Sequence, residues 1–138
     1  KGILRIEGTG PSWFGQGVCV LPLKFTLKPG EKVIVNGAVI GRGEEPGSFY
    51  LFNKVKFLRG REVMREDQAD TIEKKLYLII QLIYLFPENA QENLLKFKRI
   101  WEEVLRHQPA AREKLLDVAR LVQSEDYYRA LKLTAKLF

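Results

Sequence analysis

The chain has a single cysteine, Cys19, so no disulfide can close within it, and a reducing compartment is the expected setting. It also has a single histidine, His107. One thiol and one imidazole fall short of the donor sets of structural or catalytic zinc. Neither residue sits in a local signature of a nucleophile–base pair. The glycine-flanked serine of hydrolases, the phosphate-binding glycine loop and the dinucleotide fingerprint are all missing. No catalytic residue, metal or cofactor is therefore expected, and an enzyme has no residues to stand on. The most apolar run, Leu76–Phe86, is interrupted by Gln81. It falls far short of the ~20 residues that span a bilayer. The first residues are basic but lead into no apolar run with a small-residue cleavage site, so no signal peptide is expected. These absences point to a cytoplasmic, non-enzymatic protein without a membrane segment.

Enough apolar material is present for a core: 46% of the residues are hydrophobic and 29% charged, so disorder is not needed to explain the composition. Lys and Arg number 23 against 17 Asp and Glu, a net charge of +6. That balance permits a polyanionic partner and does not require one.

The first twenty residues differ from the rest. They hold Gly2, Gly8, Gly10, Gly15 and Gly17 with Pro11 and Ser12, which break any regular element, and the chain opens on Lys1. Residues 1–20 read as an extension foreign to the domain, although Trp13 and Phe14 could dock on it. A β-sheet module is expected over 21–67. Leu23, Phe25 and Leu27 alternate with Lys24, Thr26 and Lys28, the period of a half-buried strand. Pro29-Gly30 marks a turn. Val33–Val35 and Ala38–Ile40 flank Asn36-Gly37, the dipeptide of a type I′ hairpin. Residues 41–47 read as a loop, and Ser48–Phe52 and Lys54–Leu58 as further strands. The expectation is a small antiparallel sheet or a partly closed barrel.

A helical bundle is expected over 68–138. Asp70 followed by Glu73 suggests a capping box opening a helix to Phe86. That helix is apolar almost all round from Leu76, as a central helix or an oligomer interface would be. Pro87 breaks it and starts a second helix, with Leu94, Phe97, Trp101, Val104 and Leu105 at helical spacing. Beyond Pro109, Leu115, Val118, Ala119 and Val122 form one stripe. Ser124 is placed to cap a fourth helix holding Tyr127, Tyr128, Leu131 and Leu137. The fold class is α+β, and a homo-oligomer is expected from the apolar perimeter of Leu76–Phe86.

The densest positive stretch lies between Tyr50 and Arg65. Lys54, Lys56, Arg59, Arg61 and Arg65 face only Glu62 there. If Tyr50–Leu58 were one strand, Tyr50, Phe52, Lys54 and Lys56 would share a face. Aromatic rings can then stack on unpaired bases while cations meet phosphates. The same lysines would serve on an edge strand to block sheet-to-sheet pairing. Lys24 and Lys28, with Lys32, form a second basic set on the polar face of the first strand, where simple solvation accounts for them. Glu66, Asp67, Asp70 and Glu73 are explained by helix entry, where negative charge is favoured.

Three stretches together resemble the FlbT family of flagellar regulators. They are LKFTLKPGEKVIVNGAVI (Leu23–Ile40), the segment Leu58–Asn89 with LRGREVM and then ADTIEKKLYLIIQLIYLFPEN, and DYYRALKLTAKL near the end. The resemblance covers Leu21–Phe138, and Leu21-Pro22-Leu23-Lys24 falls where the family begins Met-Pro-Leu-Lys. Two departures stand out. Thr71 is followed by Ile72 where the family usually has Thr-Pro. The loop over 41–47 sets Arg42 beside Glu44 and Glu45 where relatives are more basic.

The resemblance implies a post-transcriptional regulator that acts on the 5′ untranslated leader of flagellin messenger RNA, lowering its translation or lifetime. Some members activate instead. On this reading Lys54, Lys56, Arg59 and Arg61 contact phosphate and Tyr50 or Phe52 stacks on bases, with Arg65, Lys24 and Lys28 in support. The rival reading is a protein-interaction or chaperone-like module for flagellin or the second flagellar protein FlaF. Leu76, Ile80, Ile83, Tyr127, Tyr128 and Leu131 would then form the interface, and the effect on RNA would be indirect.

Overall fold

The computed structural model describes residues 23–43, 48–52 and 55–138. The segment 1–20, the tip of the loop over 41–47 and Lys54 lie outside the described residues. The chain divides between Glu62 and Val63 into two compact units. The change of hydrophobic period suggested a division after Asp67. Residues ahead of the first helix instead belong with the helices, because the Gln81 side chain holds both backbone groups of Met64. Its Oε1 accepts from the Met64 N–H at 2.7 Å and its Nε2 donates to the Met64 carbonyl at 2.9 Å. Gln81, the one polar break in the apolar run, is thus buried and satisfied.

The first unit contains β1 (Leu23–Thr26), β2 (Lys32–Val35), β3 (Ala38–Gly41), β4 (Ser48–Leu51) and β5 (Phe57–Arg59). All pairings are antiparallel. They form two small sheets, one of β1 and β4 and one ordered β3-β2-β5, with no closed barrel. The β2–β3 turn is the hairpin expected of Asn36-Gly37, with φ of 48° and 85° at its two central residues. Asn36 also reaches the residue just ahead of β5: its N–H donates to the Lys56 carbonyl at 2.7 Å and its Oδ1 accepts from the Lys56 N–H at 2.8 Å. The Pro29-Gly30 turn closes with the Glu31 N–H on the Lys28 carbonyl at 2.9 Å. Phe25, Leu27, Val33 and Phe57 are the buried centre of this unit, with Val35, Ile40, Phe49, Leu51 and Val55 packed around it. Phe25 stacks on Phe49 and meets Phe57 edge-on, each at 5.3 Å between centroids.

Tyr50–Leu58 is not one strand. Its first part pairs with β1 and its last part with β2, so the two ends lie in different sheets. The inward residues of both ends pack into one core, with Phe49, Leu51 and Val55 bordering the buried Phe57.

The second unit contains α1 (Ile72–Leu85), α2 (Ala90–His107), α3 (Arg112–Gln123) and α4 (Tyr127–Thr134). α1 packs on α2 and α4, and α3 packs on α4 as a helical hairpin. Among the described residues no helix is long and apolar enough to cross a membrane. The cap of α1 is Thr71 and not Asp70. The Thr71 hydroxyl accepts from the Lys74 N–H at 3.2 Å, while Asp70 forms an i,i+4 ion pair with Lys74 at 2.9 Å. Pro87 and Pro109 each open a single 3-10 turn that feeds the next helix. Ser124 ends α3 rather than capping α4. The chain reverses at Glu125, φ 60°, and the Asp126 N–H returns to the Leu121 carbonyl at 2.8 Å.

Most of the apolar perimeter of α1 is covered inside one chain, with Leu78, Leu82 and Leu85 half-buried. Leu76, Tyr77, Ile79, Ile80, Ile83 and Tyr84 are all buried, so this helix does not by itself call for a second copy. Glu73, expected to brace the helix start, points inward and is 4% exposed. It accepts from His107 Nδ1 at 2.6 Å and from Gln108 Nε2 at 2.7 Å. Gln108 also donates to the Leu137 carbonyl at 3.4 Å. One carboxylate therefore ties the start of α1 to the end of α2 and, through Gln108, to the C-terminal segment. Burial pushes its pKa up, but the hydrogen bonds from His107 and Gln108 outweigh that and hold it below the ordinary 4.5.

Two stability measurements test this description. Gly37→Ala leaves the added methyl in open space, so the cost is that of a left-handed backbone with a side chain, about 1–2 kcal/mol. The midpoint of equilibrium urea unfolding should fall accordingly, and an unchanged midpoint would mean that the turn tolerates another conformation. Glu73→Ala should lower the unfolding free energy by about 1–3 kcal/mol at pH 7, the range for lost hydrogen bonds to a charged buried group. Because the folded pKa is lowered, that contribution is present in full above about pH 4.5 and is lost as pH falls through the folded value. The gap between wild type and variant should close in acid, and a gap constant down to pH 3 would contradict the assignment.

Candidate nucleic-acid interface

The first strand and the fourth build one mixed surface. Their register sets Lys24 opposite Tyr50, Phe25 opposite Phe49 and Thr26 opposite Ser48. Side chains alternate across a sheet, so Phe25 and Phe49 go inward while Lys24, Thr26, Ser48 and Tyr50 go outward. Phe52, just past β4, continues the outward row. Tyr50 is 51% exposed and Phe52 38%. They are two of seven exposed large hydrophobic residues among those described, and these two adjoin each other. Their centroids lie 6.4 Å apart with planes at 28°. Lys24 Nζ sits 6.0 Å above the Tyr50 ring. The Thr26 and Ser48 hydroxyls bond to each other at 3.2 Å beside them.

The remaining expected cations are distributed differently. Arg59, on β5, is committed to its own unit. Its Nη1 pairs with Glu31 at 3.4 Å, its guanidinium lies 5.9 Å from the Phe57 ring, and its N–H donates to Glu62 at 3.0 Å. The Lys28 N–H, donating at 3.0 Å, and the charges of Arg59, Arg61 and Lys28 hold the Glu31 carboxyl below its usual pKa, with burial opposing them. Lys56 lies just ahead of β5, its backbone bonded to Asn36. Arg61 is exposed on the following 3-10 turn, and Lys28 is exposed at the corner of the β1–β2 connection. Arg65 belongs to the helical unit, where it pairs with Asp67 at 3.1 Å. The run from Tyr50 to Arg65 is thus not a single face. It contributes Tyr50 and Phe52 to one sheet, Lys56, Arg59 and Arg61 to the other sheet and its turn, and Arg65 to the helices.

The side chains proposed for a protein partner fare differently again. Leu76 and Ile80 are 0% exposed, and Ile83 and Leu131 are 1% exposed. These four are core residues covered within the chain and offer no area to another protein. Tyr128 is buried as well, and Tyr127 is half-buried, its phenol pKa raised by burial and by Glu125. Sequence reasoning did not join Lys24 to Tyr50. The signal was the matching parity of Lys24, Thr26 and of Ser48, Tyr50, Phe52, but the pairing that unites them skips two intervening strands.

The family model described as flagellar protein FlbT matches residues 23–138, essentially the whole described chain. The chain belongs to the FlbT family. A family relative from Caulobacter sp. strain K31, a probable flagellum biosynthesis repressor protein FlbT, is 34% identical over 120 residues, covering 85% of this chain and 91% of the relative. The flagellum biosynthesis repressor protein FlbT of Caulobacter vibrioides is 34% identical over 120 residues, with 85% and 84% covered. A probable FlbT repressor of Mesorhizobium japonicum is 34% identical over 118 residues, with 84% and 80% covered. No solved structure matches the chain. The family match takes in both β1 and β4, so the mixed surface lies within the FlbT portion of the chain and is no part of the segment ahead of it.

Proposed function

We propose that this protein represses flagellum biosynthesis by binding the 5′ untranslated leader of flagellin messenger RNA through the outer face of β1 and β4. The observation that carries the reading is the exposed lysine–tyrosine–phenylalanine row, Lys24 over Tyr50 on paired strands and Phe52 just past them. Rings of this kind take unpaired bases, and the neighbouring ammonium meets phosphate. The relatives, named as flagellum biosynthesis repressors, support the regulatory half of the proposal. The net charge of +6 favours a polyanion in the encounter. Lys28, Lys56 and Arg61 supply further exposed or half-exposed cations in the same unit. Arg59 plays a different part, as the ion-pair partner of Glu31.

The test is a salt-titrated anisotropy measurement with labelled leader RNA, a scrambled RNA of equal length and labelled flagellin. The leader should bind selectively, and its affinity should fall with salt at a slope near −0.7 per phosphate contacted on a single strand. Tyr50→Ala and Phe52→Ala should each weaken binding about 5- to 150-fold, the equivalent of roughly 1–3 kcal/mol for one stacked base. Lys24→Glu should both weaken binding and flatten the salt slope. Arg59→Glu is a poor probe, because it sets two carboxylates against each other at Glu31. A leader bound no better than the scrambled RNA, with tight and salt-insensitive binding of flagellin, would move the function to a protein interface.

A further inference from the structure

Resting on that reading of the β1–β4 face, we infer that the site takes successive unpaired ribonucleotides and that the Thr26–Ser48 hydroxyl pair selects ribose over deoxyribose. The ring spacing comes first. Tyr50 and Phe52 have centroids 6.4 Å apart. Bases within a duplex strand repeat at about 3.4 Å, so neighbouring bases that remain stacked on each other cannot each lie on one of these rings. Nucleotides occupying both rings must come from an open strand, with their bases parted and their stacking transferred to the protein.

The second observation is the order along the face. Phe52, the Tyr50–Lys24 pair and the Ser48–Thr26 pair follow one another at two-residue steps, all pointing outward. Each step is about 6.6–6.8 Å, so the row is a ladder with two rings, one ammonium and then two hydroxyls. A strand whose bases lie on the rings and whose phosphate meets Lys24 brings its sugars toward the hydroxyl end. Thr26 and Ser48 are both exposed. Each hydroxyl carries one proton and two acceptor lone pairs. The bond between them, at 3.2 Å, engages one proton and one lone pair. The other proton and the remaining lone pairs can serve a group that both donates and accepts. The ribose 2′-hydroxyl is such a group, and it is the feature that distinguishes RNA from DNA at a given position.

A cross-strand hydroxyl pair also holds a sheet together. The experiment therefore varies the ligand as well as the protein. Full-length protein is titrated with a labelled unstructured oligoribonucleotide, the same sequence as DNA, the same sequence fully 2′-O-methylated, and the RNA annealed to its complement. The RNA should bind roughly tenfold more tightly than the DNA and the methylated strand, the ratio expected for about one good hydrogen bond, and the duplex should bind weakest. Thr26→Val/Ser48→Ala should bring the RNA-to-DNA ratio close to one by weakening RNA more than DNA. Thr26→Ser, which keeps the hydroxyl, should retain the ratio. Tyr50→Ala should weaken RNA and DNA together.

Equal binding of RNA, DNA and methylated RNA by the wild-type protein overturns the inference while leaving nucleic-acid binding intact. So does a ratio that survives in the folded double variant. Tight binding of the duplex overturns the open-strand requirement. Binding of none of the four strands removes this inference together with the RNA reading beneath it.

Discussion

The pairing of β1 with β4 is the constraint on which the candidate site depends. It joins residues far apart in the chain, so nothing local enforces it. What enforces it is the inward half of the same register: Phe25 against Phe49, and Phe25 edge-on to Phe57. Slipping the register by one residue would turn these rings to water and bring Lys24 and Tyr50 inside. The apolar core thus sets the outward geometry, and the lysine over the tyrosine ring follows from phenylalanines that touch no ligand. Presentation of Lys24, Thr26, Ser48 and Tyr50 on paired strands also keeps them in fixed order, which lowers the ordering cost of binding.

Charge in this protein divides into structural and available parts. Arg59 and Glu31 close one sheet, Asp70 and Lys74 support the start of α1, and Glu73 gathers His107 and Gln108 at the end of the bundle. Surface pairs of this kind contribute little each, while the buried Glu73 contributes more because its acceptor oxygens have no water to fall back on. A count of cations along the sequence therefore overstates what a polyanion can reach. Lys24 is different in kind, since the group beneath it is a ring and not a carboxylate, and its charge is not neutralised there.

Local chemistry was legible in advance. Asn36-Gly37 marked its hairpin, Pro87 and Pro109 marked the helix breaks, and the spacing of Leu115, Val118 and Val122 marked the inner face of α3. What escaped was whatever depends on contacts distant in sequence. Ser48–Phe52 and Lys54–Leu58 read as two separate strands, but the sequence does not say that the first pairs with β1 and the second with β2. Asp70 and Glu73 have capping-box spacing, but Thr71 lies one residue closer to the helix, and Glu73 has a stronger use facing His107. The apolar girth of α1 reads equally as a bundle centre or an oligomer face, and the packing of α2 and α4 on it, which buries most of it, depends on contacts distant in sequence. Residue type alone marks Tyr50 and Phe52, whereas a hydroxyl on a strand, as at Thr26 and Ser48, carries no distinguishing pattern until its neighbour across the sheet is known.

The most direct measurement of the central claim is an amide chemical-shift map of isotopically labelled protein titrated with an unstructured flagellin-leader RNA. Perturbations are expected to concentrate at Lys24, Thr26, Ser48, Tyr50 and Phe52, with the core residues of α1 and α4 unmoved. Perturbations confined to the helices, with the β1–β4 face silent at saturation, would contradict it.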